Sequence, residues 1–215
     1  MIRDILNPGL NFGSFIGVLI RLVVVLLAIS VHELSHGFAA FKMGDPTAKY
    51  DGRLSLNPLK HIDPVGAVCL LLFRFGWAKP VRINPNYFKN LKRGTVVTAL
   101  AGPISNFIMA YIGVILAVHV FPLFPNIYFD TFLSYFILIN LGLGVFNLIP
   151  IPPLDGSKIF LSLLPRKIYY EIMRYEQFGF LVLAAALYLG VLSPILNFFN
   201  EIILSVLLFL AGGGF

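Results

Sequence analysis

The chain has 215 residues, 58% of them hydrophobic and 12% charged, with a net charge of +6. Soluble domains run at about 45–50% and about 25% on those two measures, and a soluble fold of this size could not hide so much apolar surface, 21 phenylalanines included. The composition excludes an ordinary soluble domain and predicts an integral, multi-pass membrane protein whose solvent is the lipid bilayer.

The positive charge reads as topology. Of 16 Lys and Arg, 13 fall in three polar stretches, 42–62, 79–93 and 151–176, and none in 121–131. Such asymmetry separates cytoplasmic from external loops. No basic face suited to nucleic acid stands out, and no nucleic-acid partner is expected. Cys69 is the only cysteine, which excludes an internal disulfide and a cysteine-based zinc site. Asp4 offsets Arg3 and the first apolar run continues as a helix, so no cleavable signal peptide is expected.

In chain order, residues 1–13 read as interfacial, broken by Pro8, Gly9 and Gly13. A first span covers about 14–42 and includes the unbroken decade LVVVLLAISV. Residues 43–63 are polar and turn-rich. Residues 64–78 are apolar, interrupted by Arg74, too short to cross comfortably and flanked by basic stretches on both sides. They are expected to be re-entrant or interfacial and partly strand. A second span follows at about 95–120, an external loop at 121–131, and a third span at 132–149 ended by Pro150, Pro152 and Pro153. A basic segment, 157–175, returns to the cytoplasmic side, and 177–193 and 195–211 supply one or two further segments. The expected fold is an all-α polytopic membrane protein of about four to six membrane segments, with a short re-entrant or β-containing insertion near 43–90. It forms one domain over 1–215, with its core at about 14–160.

Residues 32–36 read HELSH. On a helix, His32 and His36 lie one turn apart on one face and can share a zinc ion, while Glu33 stands beside the metal where it can take a proton from an activated water. The motif lies roughly 9–15 Å in from Lys42 at about 1.5 Å per residue. Ionisable groups at that depth are costly and mark function. A catalytic zinc takes a third protein ligand and leaves one position open. Asp155, in NLIPIPPLDGSKIF, is the candidate. It follows the prolines that end the third span, where irregular backbone at membrane depth is tolerated if it lines a cavity. The alternative for Asp155 is an Asp-Gly turn.

These motifs, HELSH in a membrane helix and NLIPIPPLDG after a later one, resemble those of the site-2 protease family of intramembrane zinc metalloproteases. AGPISN (101–106) and GWAKPVRINP (76–85) extend the likeness over most of the chain. The resemblance implies one zinc held by His32, His36 and Asp155, Glu33 as general base, and Asn147 as a group that stabilises the tetrahedral intermediate. It implies the small branch of the family without PDZ or CBS domains, a transmembrane protein as substrate, regulated intramembrane proteolysis, and a prokaryotic cell membrane with the site towards the cytoplasm. Arg82 departs from the family pattern, which has a second proline there. From the residues alone, Asn147 and Asn140 read as interhelical hydrogen-bond partners, and Asn106 as packing support beside Gly102 and Pro103, whose small size lets two helices approach. His61 and His119 are placed away from the zinc. An extended substrate could add to a strand edge within 64–85. Two rivals remain: a transporter with an intramembrane ion site, and a catalytically silent relative.

Overall fold

The computed structural model describes residues 15–61, 63 and 79–213. The interfacial stretch expected at 1–13 and the re-entrant segment expected at 64–78 lie outside the described residues. Helix α1 runs Phe15–Met43. It stops at Gly44, whose φ of 112° is open to glycine, and where a Cβ would sit 2.9 Å from the Tyr87 carbonyl oxygen. A short α2 (Thr47–Tyr50) and a turn of 3-10 helix at Pro58–Lys60 follow. Among the described residues of 43–90 no strand forms.

Helix α3 spans Leu91–Ile115, and its first turn is capped by the Asn90 side chain, which accepts from the Arg93 amide. It continues without a break through a π turn, Leu116–Val120, and a 3-10 turn, Phe121–Leu123. Helix α4 covers Ile127–Asn147. The external loop expected at 121–131 is therefore reduced to a link of a few residues. Asn126 explains the difference: its side chain accepts from the Tyr128 and Phe129 amides and starts α4 ahead of the apolar run. After the proline-rich turn come α5 (Asp155–Leu161), α6 (Arg166–Met173), α7 (Glu176–Tyr188) and α8 (Ser193–Leu210).

Among the described residues, four helices are long and apolar enough to cross a membrane: α1, α3 with its extension to Leu123, α4 and α8. With 13 residues, α7 reaches about 20 Å, short of a bilayer core of about 30 Å. This resolves the C-terminal region into one short helix and one span.

Helices α1, α3 and α4 pack against one another as a three-helix core, with α5 against α3. Helix α8 closes the far side of α3 and α4, where Leu204 and Leu208 meet Ala110, Val114, Ile137 and Leu141. Leu154, Leu183 and Leu192 join the proline-rich turn to α7 and α8. Large apolar side chains such as Val18, Ile104, Ile108, Phe198 and Ile202 are exposed on the outer faces, which suits lipid rather than water.

Candidate metal centre

The site forms where α1, α3 and α5 meet. His32 and His36 project from α1 one turn apart, and Asp155 opens α5. All three are buried. The Asp155 Oδ2 lies 3.2 Å from His32 Nε2 and 3.0 Å from His36 Nε2, and the two imidazole nitrogens are 2.9 Å apart. A tetrahedral zinc with bonds of about 2.0–2.1 Å sets its ligands about 3.3 Å apart. The triangle therefore fits one such ion, and these three residues could hold it. They form the one cluster of its kind among the described residues.

Two glycines let the pieces come this close. At Gly102 of α3, a Cβ would sit 2.4 Å from His36 Nε2 and 2.5 Å from His32 Cε1, so any side chain there would invade the ligand nitrogens. At Gly156, a Cβ would sit 2.2 Å from the Leu148 carbonyl oxygen. The start of α5 can therefore press against the end of α4, which sets Asp155 beneath the imidazoles.

The outer nitrogens of both rings are occupied. His32 Nδ1 donates to Asn106 Oδ1 at 2.6 Å, and His36 Nδ1 donates to the Thr98 carbonyl at 2.7 Å. Each bond places the ring proton on Nδ1 and leaves the Nε2 lone pair facing Asp155, the tautomer a metal requires. Asn106 donates in turn to Asn140 Oδ1 at 2.9 Å and to the Ala28 carbonyl at 3.4 Å, and Asn140 donates to the Phe136 carbonyl at 2.8 Å. Both asparagines are fully buried, and the relay ties α1, α3 and α4 together at the depth of the site. The sequence reading of Asn106 as packing support missed this contact.

Burial works against the Asp155 carboxylate, but with no metal bound a proton taken up on an imidazole Nε2 would hydrogen-bond it, and with Lys158 nearby its carboxyl is held well below the usual carboxylate range. A cation between the ligands acts with the same sign. Lys158 Nζ approaches the other oxygen, Oδ1, at 3.4 Å, which leaves Oδ2 to the imidazoles.

Glu33 is held from a different direction. Its Oε2 accepts the Val81 backbone N–H at 2.8 Å. Val81 belongs to a strap, 79–84, that lies over the end of α1. The Lys79 amide donates to the His61 carbonyl at 2.8 Å, and the Asn84 amide to Asp45 Oδ2 at 2.6 Å. Fully buried Asp45 also accepts from the amide and hydroxyl of Thr47. Asn147, at the end of α4, donates to its own helix at the Leu143 carbonyl, 2.9 Å away.

Two adjoining clefts meet at these residues. One, of about 400 Å³, lies between the ligands and the strap, with Ile83, Phe88 and Thr95 in its wall. The other, of about 600 Å³, is lined by Ile29, Leu143, Phe146, Leu183 and Leu187. His32, Glu33, Asn147 and Lys158 border both. His61 and His119 stand apart, bonded to the Ser55 and Ala211 carbonyls.

Comparison with known proteins bears on what this arrangement does. Residues 123–189 match the model of Peptidase family M50. YwhC of Bacillus subtilis, named as a candidate zinc metalloprotease, is 40% identical over 194 residues, covering 86% of this chain and 89% of the relative. Rip2 of Mycolicibacterium smegmatis, named in the same way, is 28% identical over 86% of this chain and 71% of its own. The zinc metalloprotease MJ0392 of Methanocaldococcus jannaschii is 31% identical over 69% of this chain and 35% of its own length. No solved structure matches significantly.

Proposed function

Since the chain belongs to Peptidase family M50, the site-2 protease family, and is a membrane-embedded zinc metalloprotease, we propose that it hydrolyses peptide bonds in or near the transmembrane segments of other membrane proteins. The observation that carries this reading is the junction of the buried His32–His36–Asp155 triangle with an apolar cleft between α1, α4 and α7. An apolar segment could lie in that cleft with its backbone towards Glu33.

His32, His36 and Asp155 would hold the zinc, which when bound would supply the Lewis acidity that acidifies a water and polarises a carbonyl. Glu33, oriented by the Val81 N–H, accepts the water's proton and returns it to the leaving amine. Asn147 borders both clefts. If its amide leaves the Leu143 carbonyl as charge develops on the substrate oxygen, it serves as an oxyanion donor. The substrate helix must unwind locally, because its carbonyls are shielded while hydrogen-bonded within the helix. The basic loops orient the site towards the cytoplasm, and cleavage there would release the cytoplasmic part of a substrate, the logic of regulated intramembrane proteolysis.

The test is co-reconstitution of the purified chain with single-span substrates in liposomes, with products mapped by mass spectrometry. Cleavage within the span, lost in Asp155→Ala together with the bound zinc, is the expected result. Cleavage confined to water-exposed loops would overturn the intramembrane assignment.

A further inference from the structure

Outside the metal centre, a strongly charged pocket of about 380 Å³ is lined by Asp51, Arg53, Leu59, Lys60, Lys79 and Arg82. Four cations face one carboxylate there. Neighbouring charges satisfy the pocket poorly. The Arg82–Asp51 pair is 3.8 Å apart with the Arg82 side chain 77% exposed, so it is worth little. Lys60 uses one of its three ammonium hydrogens on the Gly52 carbonyl, at 2.8 Å. The Arg53 Nη1 is sealed from solvent and has no hydrogen-bond partner among the described residues. That nitrogen is closed to an incoming ligand, but Lys60, Lys79, Arg82 and the rest of Arg53 leave the pocket with more donors than acceptors, which suits an oxyanion.

The surroundings select among oxyanions. Leu59 forms an apolar wall of the pocket and is 76% exposed, and Tyr50 and Leu56 on the same loop are 83% and 58% exposed. The loop leads directly from the end of α1, a membrane-spanning helix. Cations beside exposed apolar side chains at the end of a span suit a group that is phosphate at one end and hydrocarbon at the other.

We propose that this pocket binds the phosphate of an anionic lipid headgroup, with Arg53, Lys79 and Arg82 around the phosphate oxygens and Leu59 against the glycerol and first acyl carbons. Its residues are not the metal ligands, although Lys79 and Arg82 flank Val81 in the strap, and its test does not rest on protease activity.

The test is native mass spectrometry of the full chain in non-ionic detergent, titrated with phosphatidylglycerol or with phosphatidylcholine. Preferential retention of phosphatidylglycerol is expected, falling about five-fold for each cation removed in Lys79→Gln and Arg82→Gln. Both residues are exposed, so folding is not at stake, and Arg53→Gln is the third variant. Equal retention of the two lipids, or a preference that the Lys79→Gln, Arg82→Gln double variant leaves unchanged, would overturn the site. Displacement of phosphatidylglycerol by millimolar inorganic phosphate, beyond a sodium chloride control of equal ionic strength, would overturn the lipid assignment in favour of soluble phosphate.

Discussion

Glu33 and Gly102 act on the metal centre in opposite ways, and a substitution at each separates chemistry from construction. Glu33 touches none of the three ligands by a hydrogen bond among those described, and its carboxylate points to Val81. Glu33→Gln keeps the shape and removes the proposed base. Cleavage should fall by about 10²–10⁴-fold while elemental analysis still finds about one zinc per chain; substantial turnover in that variant would remove Glu33 from its role. Gly102→Ala should do the reverse. Alanine favours a helix over glycine by about 1 kcal/mol, but its methyl would lie 2.4 Å from His36 Nε2. The variant should retain its helix content by circular dichroism and lose its zinc. The ligand candidates were legible in the sequence because ionisable groups deep in an apolar run need a reason to be there. The collision at Gly102 was legible only as a general expectation of close packing, since the sequence does not say which side chain the missing Cβ would strike.

At the scale of elements, the Asn106–Asn140 relay makes α3 and α4 contributors to a site whose candidate ligands come from α1 and α5. Asn106→Ala removes the acceptor that sets the His32 tautomer and leaves the Asn140 carbonyl oxygen without its donor. Zinc affinity, measured by competition with a chelator, should fall about 10–100-fold, and an unchanged affinity would reduce Asn106 to packing. An asparagine in an apolar helix bonds whatever polar group its neighbour offers, and the sequence does not reveal that the neighbour is a histidine. Helix limits were unevenly legible for similar reasons. The prolines at 150, 152 and 153 mark the end of α4, whereas its start depends on Asn126, a capping residue lying among apolar and aromatic neighbours that disguise it as loop.

For the whole molecule, the metal is the point on which helices, turn and strap converge, and its removal should be felt both globally and in catalysis. Chelation should abolish cleavage and lower the thermal unfolding midpoint in detergent, and zinc should restore both. Restored stability without restored cleavage would separate the metal's structural and chemical roles. The membrane character and the helical class were legible from composition and from runs of apolar residues, since both depend on sums over many side chains. How the basic loop folds back over α1 was not, because it rests on backbone amides and on Asp45, a residue that reads in sequence as part of a turn.

The clasp on Glu33 has a consequence for how this protein can vary. The donor is the peptide N–H of Val81, which every amino acid except proline carries. Exchanges to isoleucine, leucine or threonine should leave the contact in place, so a saturation library at position 81 should tolerate most residues of suitable size and single out proline. A position so permissive would look unimportant in any comparison of side chains, although its main chain holds the carboxylate proposed as the general base.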